Sequence, residues 1–398
     1  MPLPAKPRMK EPGAKILYAV TSPLSLMLLR GQARYAREAG FEAAVLTAPG
    51  PEVEAFGVQE SVPVFTTPIA REISLWQDVV SLVRIWKIVR RVRPTISNAG
   101  TPKAGLLVGL SGWLNRVPVR LYTMRGLRLE TARGPKRFIL TWCERIACAC
   151  AHRVVCVSPS LRQRAIELKL TPPKKTVVIG AGSSNGVEAK LFEPTPERIA
   201  RAAEMRRGLN ISLEQRVIGY VGRLSRDKGV PELVQAFREV QDEVSNAILL
   251  LIGDNDRGDP ISETTAAEIR GNPAIRQLPF QPDIAPYYLA MDVFVLPTHR
   301  EGFPNTALEA QVASCPVVTT LATGAVDAVM NGVSGLTVPV NDAGALAKAM
   351  SRVLKDDLLA ERLAIAGQRR VLQEFQQETV WGGLVSLYRE LLRDRVGD

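Results

Sequence analysis

A chain of 398 residues, 46% of them hydrophobic, exceeds one ordinary core and is too apolar for wholesale disorder, so two domains are expected. No uninterrupted apolar run of about 18 residues occurs, which excludes a spanning helix. Residues 1–180 carry 28 Lys and Arg against 11 Asp and Glu, a net of +17, whereas residues 181–398 carry 23 against 29, a net of −6. A basic half beside an acidic half calls for an anionic partner on the first: nucleic acid, a phosphate-bearing substrate or an anionic membrane surface.

The opening, MPLPAKPRMKEPGAK, is polar and proline-bearing with no apolar signal core, so residues 1–14 read as a flexible tail on a protein made in the cytoplasm. Short β-rich runs then alternate with amphipathic stretches. KILYAVT (15–21), EAAVLT (42–47), VFTTP (64–68), TISN (95–98), VRLYTM (119–124), RVVCVS (153–158) and TVVIG (176–180) are the strand candidates of the first half. Among the helical stretches between them, LSLMLLRGQARYAREAG ends at Gly40, a plausible C-cap, and SLWQDVVSLVRIWKIVRRVRP ends before Pro94. Residues 180–215 form a helix-bearing crossover. The second half repeats the pattern with RVIGYVG (216–222), AILLLIG (247–253), VFVLP (293–297), PVVTT (316–320) and GLTVPV (335–340). From Asp342 the chain is helical almost throughout. Alternating β and α predicts an α/β protein built from two doubly wound, Rossmann-like domains facing a central cleft. The expected boundaries are 15–180, 181–375 and a last helix, 376–398, packing back on the first domain.

Four of the five cysteines, Cys143, Cys148, Cys150 and Cys156, crowd one apolar segment, but without paired C-x-x-C spacing and with only two histidines in the chain. They read as buried reduced thiols rather than metal ligands, so no metal is expected.

Four strand exits carry polar signals. GYVGRLSRDKGVPELVQAF (219–237) leaves a strand at Gly222 and sets Arg223 and Lys228 before the next helix, two cations suited to a diphosphate. IGDND (252–256) leaves another strand through Gly253 and Asp254. GAGSSNGVEAKLF (180–192) puts small and polar residues, Asn185 among them, at the presumed junction. REGFPNTALEA (300–310) places Glu301 in a loop and Glu309 in the helix that follows, with Gly302, Phe303, Pro304, Asn305 and Thr306 between. A helix start exposes free N–H groups to a phosphate or a sugar oxygen, and carboxylates grip vicinal hydroxyls. Each signal alone fits solvated loop charge equally well.

In combination, VGRLSRDKGV, LLLIGDND, MDVFVLPTHREGFPNTALEAQVASCPVVTT and GVSGLTVPVND, over about residues 176–355, resemble the nucleotide-sugar-binding domain of glycosyltransferase family 4, retaining enzymes of the GT-B fold. The resemblance implies that Arg223 and Lys228 hold the donor diphosphate, that Glu309 holds the ribose, and that Glu301 with the backbone of Gly302 to Asn305 holds the transferred sugar. TPKAGLLVGL (101–110), LYTMRGLRLE (121–130), GPKR (134–137), CERIACACAHRVVCVSPSLR (143–162) and GSSNGV (182–187) are similar to the bacterial subgroup that extends polyprenyl-diphosphate-linked oligosaccharides. That likeness implies Lys103, Arg125, Gly126 and Arg128 at the cleft, with Arg133, Lys136 and Arg137 on a basic rim. It also implies a UDP-linked hexose or N-acetylhexosamine as donor and a polyprenyl-diphosphate-linked glycan as acceptor.

The chain departs from the family pattern in two places. TSPLSLMLL stands where many members carry a glycine pair, and Arg125-Gly126 stands where many carry a histidine. His152 and His299 fit neither position. The implied chemistry is metal-independent transfer without a cofactor, with leaving-group charge met by Arg223, Lys228 and the helix start. Basic residues near an anionic leaflet contribute about 1 kcal/mol each, so the expected location is peripheral on the inner face of the cell membrane. RFILTWCERIACACA (137–151) and LSLMLLRGQARYA (24–36) are the candidate interfacial segments, with core-facing helices as the alternative. Competing readings are a nucleotide-sugar epimerase, transfer to a small soluble acceptor, and a nucleic-acid binder. The last lacks any recognised module or aromatic interleaving, so no nucleic acid is expected.

Overall fold

The computed structural model describes residues 13–70 and 74–396. Residues 1–12 of the expected tail, and residues 397–398 of the expected last segment, lie outside the described residues. Two parallel sheets are present. The first comprises β1 (Lys15–Ala19), β2 (Glu42–Thr47), β3 (Val64–Thr66), β4 (Ile96–Ala99), β5 (Val119–Met124), β6 (Arg153–Cys156) and β7 (Thr176–Val177), in the order β3-β2-β1-β4-β5-β6-β7. The second comprises β8 (Arg216–Val221), β9 (Ala247–Ile252), β10 (Ile275–Leu278), β11 (Val293–Leu296), β12 (Val317–Thr320) and β13 (Leu336–Val338), in the order β10-β9-β8-β11-β12-β13.

Helices cover both faces, so the strands read as unbroken apolar runs; every residue of β9, AILLLI, is buried. Strand order reverses between β1 and β4 and again between β8 and β11. In sheets wound this way ligands bind at the carboxyl ends of the strands beside the reversal. The loops leaving β8 and β11 carry two of the polar strand exits described above. These are the GT-B elements, two Rossmann-like lobes, expected from the sequence.

Three local features differ from the sequence reading. LSLMLLRGQARYAREAG is not one helix: a 3-10 helix, Pro23–Leu29, precedes Gly31, and the α-helix Gln32–Glu38 follows. Gly31 adopts φ +77, and a Cβ there would meet the Trp381 ring at 2.3 Å, so the break accommodates that indole. β10 was missed because Ile275–Leu278 reads IRQL, with two polar residues on an edge strand. The run 176–180 pairs only over its first two residues.

Residues Leu384, Leu387, Tyr388 and Leu391 of the last helix, Gln377–Val396, join the core of the first lobe. Tyr388 packs edge-on against Tyr18 and Phe41, and its hydroxyl accepts a 2.7 Å bond from Asn98 Nδ2. All five cysteines are unpaired, and four are buried.

Candidate active site at the switch point of the second sheet

Where β8 and β9 end, the two exits run too close for side chains: a Cβ on Gly253, φ +141, would lie 2.1 Å from the Gly222 carbonyl oxygen. Leu224 N donates to the Asp254 carbonyl at 2.9 Å, and Asp256 N donates to the Leu224 carbonyl at 3.1 Å, extending the pairing past the strands. Arg223, 47% exposed, pairs with Asp256 and stands 4.0 Å from Asp227. Lys228 is far less accessible and pairs with Glu301, which leaves β11 on the other side of the reversal. Both members of that pair are below one-fifth exposed, so their charges interact with little screening.

Asp227 organises the loop. Its carboxylate accepts from Ser225 Oγ at 2.6 Å and from Arg300 Nη2 at 2.7 Å. Burial pushes its pKa up, but the Ser225 hydroxyl, Arg300, Lys228 and Arg223 outweigh burial and hold it below the ordinary value. The Asp227 carbonyl accepts from His299 N at 2.9 Å, locking the two loops together. The His299 ring sits 3.2 Å from a Glu232 carboxylate oxygen.

The helix Asn305–Val312 starts without a side-chain cap, and the buried amide oxygen of Asn305 finds no hydrogen-bond partner. Its first turn begins just after Glu301 in the chain, and an uncapped helix start offers N–H groups to an anion. Glu309, the helix's fifth residue, accepts from Tyr288 Oη at 2.8 Å. Burial raises its pKa to about 6, with the Tyr288 hydroxyl pulling the other way. Phe303 points into the core against Phe375, 5.2 Å between ring centroids, and Pro304 is buried with it. Thr306 is partly exposed. Asp254 is exposed, with its carboxylate accepting from Phe280 N at 3.2 Å.

The first lobe closes on these loops. A Cβ on Gly302 would fall 2.3 Å from the Arg125 carbonyl oxygen, and one on Gly126 would fall 3.3 Å from Gly302 N. Arg125 donates to Ser184 Oγ at 2.7 Å, to the Gly100 carbonyl at 2.9 Å and to the Leu28 carbonyl at 3.3 Å. Burial lowers its pKa to about 10. The guanidinium thus ties together three segments distant in sequence near the cleft. Thr323 Oγ1 donates to Glu130 across the lobes at 2.8 Å, and Ser160 Oγ donates to Asp327 at 2.5 Å while accepting from Gly324 N at 2.7 Å. A cavity of about 620 Å³ between the lobes is lined by Arg128, Arg133 and Lys136 from one side and Arg226, His299 and Arg300 from the other.

Two residues placed at the site by sequence have their polar groups engaged within the protein. Asn185 is buried, with its amide nitrogen on the Arg30 carbonyl at 2.9 Å and its oxygen accepting from Trp381 Nε1 at 2.8 Å, so its amide is committed to packing at the junction. Lys103 lies 2.6 Å from Asp78 and donates to the Ala70 carbonyl at 2.7 Å, which holds it to its own lobe. Asp227 and Arg300 lay inside quoted motifs but were passed over beside their neighbours. Tyr288 gave no signal, since a tyrosine in an apolar segment reads as core. His152 is a neutral acceptor packed on Arg120: burial, then the Arg120 charge, lowers its pKa to about 4. Among the described residues, no group of three or more His, Cys, Asp or Glu is arranged to hold a metal ion.

Two Rossmann-like lobes facing a cleft, with cations and carboxylates at the switch point of the second, define the GT-B sugar-transferase class. The family "Glycosyl transferases group 1" matches residues 202–370, and "Glycosyl transferase 4-like domain" matches residues 28–182. The chain is 35% identical to the capsular polysaccharide biosynthesis glycosyltransferase CapM of Staphylococcus aureus, over 96% of this chain and 99% of that one. It is 26% identical to the UDP-Gal:alpha-D-GlcNAc-diphosphoundecaprenol alpha-1,3-galactosyltransferase of Escherichia coli, over 76% and 77% of the two chains. Among solved structures, Anabaena Alr3699/HepE in complex with UDP and glucose superposes with a TM-score of 0.79 at 21% identity, covering 95% of this chain and all of that one. The chain belongs to the family 4 glycosyltransferases, and it is an enzyme of sugar transfer.

Proposed function

We propose that the chain moves a hexose or N-acetylhexosamine from a UDP-sugar to a polyprenyl-diphosphate-linked saccharide, with retention of configuration and without a metal or other cofactor. The E. coli relative, whose name gives a UDP donor and a diphosphoundecaprenol acceptor, and the UDP-bound fold neighbour support that substrate pair. The observation that carries the reading is the Lys228–Glu301 pair, set by the two loops that flank the sheet's reversal.

The donor diphosphate lies against Arg223, Lys228 and the uncapped helix start, where fixed positive potential meets the charge that develops on the leaving group. Glu309 accepts from the ribose hydroxyls, and Glu301 orients the transferred sugar. The acceptor oxygen approaches the face that the diphosphate leaves. Its bond to the anomeric carbon forms as the carbon–phosphate-oxygen bond breaks, the electron pair goes to UDP, and the acceptor proton passes to the departing phosphate oxygen.

No helix among the described residues is long and apolar enough to cross a membrane. The basic first lobe is proposed to hold the enzyme peripherally at the cytoplasmic face of the cell membrane. A panel of UDP- and GDP-sugars tests the donor: UDP-sugars should raise the melting temperature and undergo slow hydrolysis. A shift with GDP-sugars alone reassigns the nucleotide, and no shift with any of them removes the reading.

A further inference from the structure

The helix Gly134–Cys150 is turned inside out. Its buried side is small and polar, with Glu144, Ala147, Cys148 and Cys150 facing the core. Its outward side carries Phe138 at 66% exposure, Ile139 at 43%, Trp142 at 48% and Ile146 at 38%. Offsets of one, four and eight residues place these four on one stripe of the helix. A soluble helix normally shows the opposite arrangement.

Phe138 and Trp142 pack edge to face at 6.2 Å, so the stripe is an ordered surface, and Arg145 lies 5.2 Å over the Trp142 ring. The exposed charges of this helix itself have one sign. Glu144 is the only carboxylate of this helix, and it is buried under a 2.8 Å hydrogen bond from Tyr122 Oη. Arg133, Lys136 and Arg137 stand exposed at its first turn. Arg133, Lys136 and Leu140 also line the cavity between the lobes, so one helix carries both the apolar stripe and part of the cleft wall.

We propose that this stripe is the surface that docks on an anionic lipid bilayer, and that docking sets the basic first turn at the headgroup level, facing the cleft. The inference rests on the reading above that the acceptor is lipid-linked. Aromatic rings beside arginines suit the interfacial zone of a bilayer, and a helix with no exposed carboxylate suits anionic headgroups. Chain anchored in the bilayer and diphosphate at its surface, an acceptor would then meet Arg133 and Lys136 on entering the cavity.

The test is flotation of the full chain with vesicles of phosphatidylglycerol or of phosphatidylcholine, comparing wild type, the double variant F138D/W142D and the conservative double variant F138L/W142F. Melting temperature and the shift caused by UDP check that each variant is folded and binds donor. The wild type should bind phosphatidylglycerol and be released by salt. The aspartate variant should bind about tenfold or more weakly with its UDP shift unchanged, and the conservative variant should bind like wild type. Brominated lipid should quench fluorescence more in the wild type than in W142F.

Equal binding by the aspartate variant would overturn the inference while leaving the membrane reading standing on some other surface. Absence of wild-type binding to phosphatidylglycerol at low salt would overturn both, whereas the UDP shift would still support the transferase. A wild-type dimer by light scattering that becomes a monomer in the aspartate variant would give the stripe to a second copy of the chain and overturn the bilayer.

Discussion

The two lobes share a topology and divide the work. The second presents its chemistry at strand ends, as a network in which Asp227, Arg300, Lys228 and Glu301 hold one another. The first puts its charge on helix surfaces and carries the exposed tryptophans, Trp76 at 78%, Trp113 at 57% and Trp142 at 48%, whereas the outward apolar side chains of the second are Leu358, Phe280 and others without an indole. A net of +17 over residues 1–180 against −6 over residues 181–398 expresses the same division. One parallel α/β plan thus serves two ends. On the proposals above, the strand exits of the second lobe would hold a small ligand and an outer helix of the first would meet a bilayer.

The sharpest way to break this comparison is Lys228→Ala. If the second lobe carries the electrostatics of transfer, turnover with a UDP-sugar should fall by about 10²–10³, or about 3–4 kcal/mol of transition-state stabilisation. The melting temperature should fall as well, because Glu301 is left unpaired at 15% exposure, but the UDP-induced shift should show a folded protein. Turnover near wild type in a folded variant would remove Lys228 from the chemistry and the Glu301 pair with it.

Asn185→Ala probes the joint rather than either lobe. It strips the Arg30 carbonyl and the Trp381 indole of buried partners, which costs about 3 kcal/mol in a denaturant titration. Donor affinity, read from UDP titration, should stay within about twofold, because the amide is committed to packing. A large loss of affinity with unchanged stability would return Asn185 to the donor site.

Glu309→Gln separates function from folding within the second lobe. Burial raises this carboxyl from 4.5 to about 6, so the native state holds the proton more tightly than the unfolded chain. The stabilisation is complete below about 4.5 and is lost as pH rises through 6; above both values the buried carboxylate costs about 2 kcal/mol. The glutamine variant should therefore be more stable than wild type by about that amount at pH 8, with the gap closing on acidification. Donor affinity should fall in the variant at pH 8, and in the wild type as pH drops below about 6. A variant less stable than wild type at pH 8 would contradict the sign.

The fold was legible because short hydrophobic runs such as AILLLI and VFVL suit buried strands, and their alternation with helices points to parallel sheets. The edge strand β10 was not, since IRQL has too few apolar residues to stand out from a loop. Lys228 and Glu301 were legible as a loop cation and a loop carboxylate, 73 positions apart, and only the strand order brings them together. The partners of Asn185 were not legible, because glycine and serine around it look like a ligand loop, while the Trp381 that donates to it lies 196 residues away. For the helix Gly134–Cys150, apolar residues on both sides hide which face is inward; small residues tuck against the neighbouring helix Pro102–Leu114 and the large rings are left out.

Arg223→Ala should have the smallest effect of the four, and it discriminates between the two cations of one loop. Arg223 is 47% exposed and already neutralised by Asp256, with Asp227 at 4.0 Å, whereas Lys228 is enclosed and pairs with Glu301. An exposed, shared guanidinium is screened by solvent and salt, so it adds to donor attraction in the ground state and the transition state alike. Its removal should raise the donor KM about tenfold, near 1.4 kcal/mol, and leave kcat close to wild type. The KM penalty should shrink with added salt. If kcat falls as steeply as in Lys228→Ala, the arginine leaves Asp256 and closes on the diphosphate during reaction, and the two cations act as one unit.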